Sequence, residues 1–273
     1  GAIAFGDYNR SLDNANLLKI ALQYAQDFDG LVIAFSQDEK IKGNGVTNEG
    51  VVSTRLGLKG IPNLAEELQV ARNLFLLEYT GGKLHIPTIS TAKSATLIQE
   101  AKAKGFNVSC SVSVHNLILT DVKLEDFDTR YKVNPPLRTE ADRLALIEGV
   151  KNGTIDLITS DHNPIDIEHK KMDFDTAKSG TIGLESAFGA LLTVLPLETV
   201  IEKLTAARAL FGIENPTISE GAKANLSLFN PEGKSTFTSE SILSKSKNSA
   251  FIGTETKGKV YGIMNQNQLI LNQ

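Results

Sequence analysis

Residues 155–164 read Ile-Asp-Leu-Ile-Thr-Ser-Asp-His-Asn-Pro, a short apolar run followed at once by Asp161 and His162. Apolar runs of this length that are bounded by polar and turn-forming residues indicate buried β-strands. In parallel α/β sheets, ligands bind beyond the carboxyl ends of the strands. The stretch therefore predicts a buried parallel strand that delivers Asp161 and His162 to the functional edge of a sheet.

Similar apolar runs precede this stretch and alternate with helical patterns. We predict strands over residues 2–5, 30–35, 83–89, 107–112 and 155–159. Apolar spacing and capping residues predict helices over residues 14–26, from 62 to about 81, 93–104, 139–153 and 181–210. Strands that alternate with helices are typical of a parallel sheet built from βαβ units.

The pattern of residue types along the sequence changes near residue 215. Short β runs, separated by Gly and Pro, follow at residues 225–229, 260–264 and 268–271. We therefore predict two domains, residues 1–215 with the parallel sheet and residues 216–273 as a small β-domain segment. The Ser- and Lys-rich residues 235–249 are predicted to lie on the surface.

Composition and charge limit the classes of partner and the cellular compartment that we expect for the protein. The chain has 273 residues with 28 basic and 32 acidic side chains, and no basic stripe favours nucleic acid. The most apolar stretch, residues 187–197, is too short to span a bilayer. The single cysteine, Cys110, excludes a disulfide framework and indicates a reducing cytoplasm. The N-terminus has no initiator Met and no signal-peptide pattern, so we expect it to read from within a longer protein.

Three strings carry a family resemblance: Val-Asn-Pro-Pro-Leu-Arg at 133–138, Thr-Ser-Asp-His-Asn-Pro at 159–164 and Gly-Leu-Glu-Ser-Ala-Phe at 183–188. Their sequences and their order resemble dihydroorotase, a cyclic-amide hydrolase of pyrimidine biosynthesis in the amidohydrolase superfamily. The resemblance covers nearly the whole chain. It implies an α/β fold, a partial TIM-type (β/α)8 metallo-dependent hydrolase barrel with about strands four to eight, and a small C-terminal β-domain.

The resemblance also implies site residues. In dihydroorotases, one or two zinc-type ions activate a water molecule, and an aspartate after strand eight moves the proton. Asp161 occupies that strand-eight position, and Asp7 falls in the bridging-ligand region after strand four, so the two aspartates are the implied metal ligands. Asn134, His115 and His162 match positions around the substrate at the barrel mouth.

Two metal-ligand positions of the family carry other residues here. The histidine expected after strand five is Phe35, and the one expected after strand six is Thr88. A phenyl ring has no lone pair for a metal, and a neutral threonine is a poor substitute for an imidazole. We therefore expect no cofactor. If the site is functional after all, the cofactor is expected to be zinc.

Two hypotheses on function follow from the resemblance. The first is a non-catalytic pseudoenzyme that serves as an assembly or structural partner of aspartate transcarbamoylase. The second is an active dihydroorotase that hydrolyses the cyclic amide of dihydroorotate to carbamoyl-aspartate with an atypical metal site. We expect the N-terminal remainder of the barrel to be a partner, in the form of a separate chain, and a homodimer is a further arrangement left open.

Overall fold

A computed structural model describes residues 1–265 and 268–272, apart from the side chains at positions 8 and 9. The strands are β1 (Ala4–Ser11), β2 (Leu31–Phe35), β3 (Thr47–Asn48), β4 (Gly60–Ile61), β5 (Lys83–Ile86), β6 (Val108–Ser113), β7 (Leu157–Thr159), β8 (Asn225–Thr236), β9 (Glu255–Asn265) and β10 (Gln268–Leu271). The helices are α1 (Ala15–Ala25), α2 (Glu39–Lys42), α3 (Val51–Leu56), α4 (Leu64–Thr80), α5 (Ala92–Ala103), α6 (Val114–Ile118), α7 (Glu140–Lys151), α8 (Ile167–Lys170), α9 (Ala187–Leu191), α10 (Leu197–Thr205) and α11 (Ala207–Leu210).

Five strands form one parallel sheet in the order β1-β2-β5-β6-β7. They correspond to the five predicted apolar runs, so these predictions are confirmed. Successive side chains on a strand point to opposite faces. Val32 and Leu84 accordingly lie in the core beneath the helices, whereas Ile33 and His85 line a cavity on the other face.

The helices that cover the sheet begin at the residues that the sequence indicates. Asn14 caps α1 by accepting hydrogen bonds from the backbone of Asn16 and Leu17, and the side chains of Thr91 and Thr139 cap α5 and α7. Such caps satisfy backbone N–H groups that have no partner inside the helix. The predictions for α1, α4, α5 and α7 are confirmed.

The parallel sheet is curved and open. Within residues 1–265 and 268–272, β1 and β7 each pair with one neighbour in this sheet, and both line the same cavity. Strands at the two ends of a flat sheet could not face one space, so the sheet bends as the wall of an incomplete barrel. Ile3 and Phe5 remain exposed at the β1 edge.

The C-terminal strands form an antiparallel sheet in the order β10-β9-β8. The three predicted β runs are therefore confirmed. Phe237, Ile242 and Phe251, which lie between β8 and β9, are buried in the same core as the helices around the parallel sheet. The division at residue 215 stays a prediction, and the two regions share packed side chains.

One local prediction is wrong. Residues 181–210 are not helical from their start, because Thr181 pairs with His162 in a β-bridge and its hydroxyl accepts the backbone N–H of Ala250. The first helix of that stretch begins at Ala187. Residues 235–249 lie largely on the surface, as predicted, although Phe237, Ile242 and Asn248 of this segment are buried. In the part of the chain that the structure describes, no helix combines the length and the apolar character needed to cross a membrane.

Candidate functional site

A cavity of about 450 Å³ lies on the concave face of the parallel sheet. Its walls come from all five parallel strands, the loops that follow them and the region of α11: Ala4, Gly6, Asp7, Ile33, Phe35, His85, Pro87, Thr88, Ser111, Leu157, Thr159, Asp161, Ala207 and Phe211. The cavity is mainly apolar, with a few carboxyl, hydroxyl and imidazole groups. Its rim at the carboxyl ends of the strands is where barrels of this kind bind ligands.

Phe35 and Thr88 both line the β2 and β5 wall of this cavity. Phe35 is the last residue of β2 and is 3% exposed. Thr88 follows β5 with a left-handed backbone, φ 49°, and its N–H donates to the Ser111 hydroxyl at 3.1 Å. Both residues that stand in place of the expected histidines therefore line the cavity, and neither side chain has a nitrogen atom that could bind a ligand.

Asp161 follows β7 and lies on the opposite wall. Its side chain is 12% exposed and its backbone is also left-handed, with φ 42°. Burial raises the pKa of the Asp161 carboxyl to about 6, because removing water disfavours the charged form. A carboxyl that titrates near neutrality can both accept and return a proton at physiological pH.

His115 lies behind Asp161 and is fully buried. Its Nε2 atom is 2.9 Å from the Ser113 hydroxyl and 3.9 Å from Asp161 Oδ2. The Ser113 hydroxyl donates to Asn116 Oδ1, so Nε2 is the nitrogen that carries the proton. Burial lowers the pKa of His115 to about 3, which keeps the ring neutral, and its Nδ1 atom is buried with no hydrogen-bond partner.

Asn134 lines a second, smaller cavity of about 280 Å³. The Asn134 Oδ1 atom is buried and has no partner. Asp161 contributes to the walls of both cavities, so it lies where the larger and the smaller space adjoin. An uncompensated buried amide oxygen costs free energy, and a ligand with an N–H group could satisfy it.

The remaining predicted residues take different places. Asp7 is exposed on β1 and lines the larger cavity together with Asp161. His162 lines neither of these two cavities, and its Nδ1 atom accepts hydrogen bonds from the backbone N–H groups of Gly183 and Leu184 at 3.4 Å and 3.3 Å. The geometry thus groups Asp7 with Asp161 and Asn134 with Asp161, while His162 supports a turn. All of these role assignments stay predictions.

A row of serines on β6 was missed by the sequence reasoning. Ser109 and Ser111 contact the two nitrogens of His85 at 2.9 Å and 3.3 Å. Burial lowers the pKa of His85 to about 4, so this ring is neutral and held by hydroxyl groups. The signal was available, because Ser109, Ser111 and Ser113 alternate with apolar residues and must share one face of a strand.

The donor set of the described residues does not fit a metal ion. A zinc site needs about three protein ligands and keeps an open position in enzymes. Within residues 1–265 and 268–272, no group of three or more His, Cys, Asp or Glu side chains is arranged to hold an ion. Asp7 and Asp161 supply two carboxylates on the cavity, and the positions that could complete the set are Phe35 and Thr88.

Comparison with known proteins relates the chain to a family. The family model described as dihydro-orotase-like matches residues 1–94. The dihydroorotase of Pelotomaculum thermopropionicum is 41% identical over 265 residues, which are 94% of this chain and 62% of that protein. The dihydroorotase of Geobacter metallireducens is 40% identical over 264 residues, with the same coverages of 94% and 62%. The chain thus spans about three-fifths of the length of these curated relatives.

Solved structures agree on the fold. L-hydantoinase (dihydropyrimidinase) from Arthrobacter aurescens superposes with a TM-score of 0.85 at 23% identity, covering 99% of this chain and 65% of that one. A D-hydantoinase superposes with a TM-score of 0.83 at 21% identity, covering all of this chain and 65% of that one. The prediction of an α/β, partial TIM-type barrel with a C-terminal β region is confirmed.

Proposed function

This chain belongs to the dihydroorotase-like proteins of the amidohydrolase superfamily, and from that premise we propose that it is a non-catalytic member with a degenerate metal site. Its role would be structural or in assembly, within pyrimidine biosynthesis. The observation that carries this proposal is the pair Phe35 and Thr88 on the cavity wall, at the positions where the family resemblance implies histidine ligands.

The chemistry of that wall supports the proposal. Phe35 offers only carbon atoms, and the Thr88 backbone N–H is already donated to Ser111. The neighbouring imidazole, His85, has both nitrogens within hydrogen-bond distance of serine hydroxyls. Withdrawing His85 from its serines to bind an ion would break the hydrogen bonds that join the ring to Ser109 and Ser111, each worth about 1 kcal/mol.

The proposed direct partner is a polypeptide that completes the barrel. It would add parallel strands to the β1 and β7 edges and direct apolar side chains into the cavity, as the packed interior of closed barrels requires. Exposed Ile3 and Phe5 at the β1 edge support this proposal, because bare apolar edges are aggregation sites unless they are covered. The simplest such polypeptide is the N-terminal part of the same barrel.

Native mass spectrometry of the protein isolated from its source cells tests the partner. We expect a companion chain that stays bound and that gives peptides predicted to form the remaining strands. A well-folded species with the 29.5 kDa mass of this chain alone would refute the proposal. Aspartate transcarbamoylase is the proposed assembly partner, and its co-purification with the chain is the corresponding measurement.

The test of the non-catalytic role combines metal content with turnover. The isolated complex is assayed by elemental analysis and with dihydroorotate and carbamoyl-aspartate as substrates, with and without added zinc. We expect far less than one bound metal per chain and no conversion in either direction. Stoichiometric metal together with conversion would overturn the non-catalytic role.

Asp161 favours a second candidate function, an active dihydroorotase with an atypical site. Its carboxyl has a pKa of about 6, lines both cavities and lies 3.9 Å from the neutral ring of His115. These are the properties of a proton-transfer group. A completing segment would then have to supply the missing metal ligands, and the same assay distinguishes this function from the non-catalytic role.

A further inference from the structure

Residues 160–182 form a long loop between β7 and α9. Most of residues 166–179 are exposed, so the loop has few buried contacts of its own. Near its two ends, Asn163, Ser179 and Gly180 line the second, smaller cavity. A movement of these ends therefore changes the shape of that cavity and the access to it.

The two ends of the loop are joined to each other. His162 and Thr181 form a parallel β-bridge, and the backbone N–H of Asn163 donates to the carbonyl of Thr181 at 2.8 Å. Gly180 has φ 143°, and a Cβ atom at this position would lie 2.6 Å from Asn163 Nδ2. Only a glycine allows so close an approach. We therefore expect the two ends to move as one unit.

The side chain of Asn248 is hydrogen-bonded to both ends. Its Nδ2 atom donates to the backbone carbonyls of Asn163 and Gly180, at 3.0 Å and 3.2 Å. Its Oδ1 atom accepts the backbone N–H of Ile165 at 3.2 Å. Asn248 is buried, so water competes little for these bonds. One amide group thus holds the start and the end of the loop.

The backbone around Asn248 adds contacts and forms the fixed side of this junction. The Asn248 carbonyl accepts the N–H of Ile182 at 3.2 Å and the hydroxyl of Thr181 at 3.1 Å. The same hydroxyl oxygen accepts the N–H of Ala250 at 2.8 Å. Ala250 and Phe251 are buried in the main core. The segment that carries Asn248 is therefore anchored, and the loop is the side that can move.

The middle of the loop is fastened to another part of the molecule. The Lys170 ammonium donates to the backbone carbonyls of Thr129 and Lys132, at 2.8 Å and 3.2 Å. The Lys132 ammonium donates to the carbonyl of Phe174 at 2.6 Å. None of these bonds involves Asn248. Loss of the Asn248 contacts would therefore release the two ends while the middle of the loop stays attached.

From these contacts we propose that Asn248 is the latch of the second cavity, a proposal that does not depend on the function proposed above. When the hydrogen bonds from Asn248 to residues 163, 165 and 180–182 break, the two ends move away together and solutes enter the cavity. When the bonds form again, the cavity closes. Such an opening is local, because it breaks a few hydrogen bonds and leaves the main core packed.

Hydrogen exchange followed by mass spectrometry tests the latch, with any barrel-completing polypeptide retained. We expect Asn248→Ala to speed exchange at both ends of the loop by at least about 100-fold, because buried backbone groups lose their partners. Asn230→Ala, the matched control, removes one hydrogen bond to the Glu232 N–H on β8 and should leave the loop unchanged. Unchanged exchange in the loop, or equal acceleration in α5 and α7, would overturn the proposal.

A milder variant keeps the test decisive if Asn248→Ala does not fold. Thr181→Val retains the shape of the side chain and removes the hydroxyl between Asn248 and Ala250. It should speed exchange at both ends of the loop by about 10-fold. Thr193→Val, which removes a hydroxyl bond to a carbonyl outside the loop, is its control. Acceleration at one end alone would show that the ends are not held as a unit and would contradict the latch.

Thiol labelling tests whether the latch controls access to the cavity. Val133 lines the second cavity and is 3% exposed, so Val133→Cys reports the entry of iodoacetamide. The native Cys110 is buried, and burial raises its pKa to about 12, so it stays unreactive. Adding Asn248→Ala or Thr181→Val should raise the labelling rate of Val133→Cys by the same factor as the exchange rate. Faster exchange without faster labelling would refute control of the cavity by Asn248.

Discussion

The two walls of the large cavity differ in what they can do. The β2 and β5 wall carries Phe35 and Thr88, which offer no side-chain nitrogen. The β7 wall carries Asp161, a carboxyl with a pKa of about 6, supported from behind by His115. The β7 wall thus carries a carboxyl whose pKa suits proton transfer, whereas the β2 and β5 wall carries Phe35 and Thr88 at the positions where the family resemblance implies histidines.

Backbone conformation is shared by the two walls. Thr88 and Asp161 both have positive φ, at 49° and 42°, and both lie directly after strands that end at the cavity. Such conformations cost non-glycine residues about 1–3 kcal/mol and cluster at functional sites. The left-handed turn at Thr88 therefore has the geometry of a functional position, although its side chain cannot act as an imidazole ligand.

The largest expected effect comes from introducing histidines on the β2 and β5 wall, which we call the altered wall. We expect Phe35→His combined with Thr88→His to raise bound zinc from far below one to near one equivalent, because two imidazoles and Asp161 provide the three ligands that zinc needs. The gain in affinity should be about 1,000-fold or more, measured by elemental analysis and metal titration.

Adding Asp161→Asn to that double variant is the matched control and should abolish the added binding. If the double variant gains no zinc, the two walls differ in more than these two side chains, and the comparison between them fails.

The second prediction concerns Asp161 itself and the pH dependence of stability. Its folded pKa of about 6 lies above the usual value of 3.8, so the folded protein binds the proton more tightly than the unfolded chain. The stability contributed by this group is therefore complete below pH 4 and is lost as the pH rises to 6. Asp161→Asn should raise the free energy of unfolding at pH 7.5 by about 3 kcal/mol.

Urea unfolding at several pH values measures this difference. The advantage of Asp161→Asn should shrink toward zero near pH 4, and Asn tolerates the left-handed backbone at this position. A difference that stays constant from pH 4.5 to 7.5, or a variant less stable at pH 7.5, would show that burial of this carboxyl is not the cause.

The third prediction concerns His85 on the β5 side of the cavity. Burial raises the pKa of Asp161, whereas it lowers the pKa of His85. Its folded pKa of about 4 lies below the usual 6.5, so its stabilising contribution is complete above pH 6.5 and is lost as the pH falls toward 4. His85→Gln removes this titration and can still contact Ser109 and Ser111. Relative to the parent protein, the variant should gain about 2 kcal/mol between pH 7 and pH 5.

His169→Gln, at a half-buried histidine of α8, is the matched control for the removal of an imidazole. An identical pH profile for His85→Gln and the parent protein would mean that the His85 ring does not lose stability in acid through burial.

Much of the fold could be predicted from local patterns. The five parallel strands are continuous apolar runs, and the caps at Asn14, Thr91 and Thr139 set where helices begin. Composition predicted residues 235–249 on the surface, where most of them lie, but it could not reveal the long-range contacts of the buried residues in this segment. Asn248, from that segment, donates to the backbone carbonyls of Asn163 and Gly180 and so fixes the loop after Asp161.

The candidate site was predictable in its positions and less so in its geometry. The family resemblance located Asp161, Phe35 and Thr88, and the structure gathers all three around one cavity. The orientation of His162 toward the Gly183 turn could not be read from the sequence, because adjacent loop residues point in directions that only tertiary contacts decide. The left-handed backbone at Thr88 was equally hidden, since threonine rarely adopts it.

The smallest expected effect concerns the left-handed backbone at Thr88. It tests whether this backbone conformation on the altered wall depends on the threonine side chain. Thr88→Gly removes the β-branched side chain from a left-handed conformation and retains the N–H bond to Ser111. Relief of strain should exceed the entropic cost of glycine, so the free energy of unfolding should rise by about 1 kcal/mol at constant pH. Thr88→Ala keeps the strain and is the control. If both variants destabilise the protein equally, the threonine side chain holds the turn at position 88. The conformation of this turn would then come from packing of the threonine and would not be a remnant of a metal-ligand position.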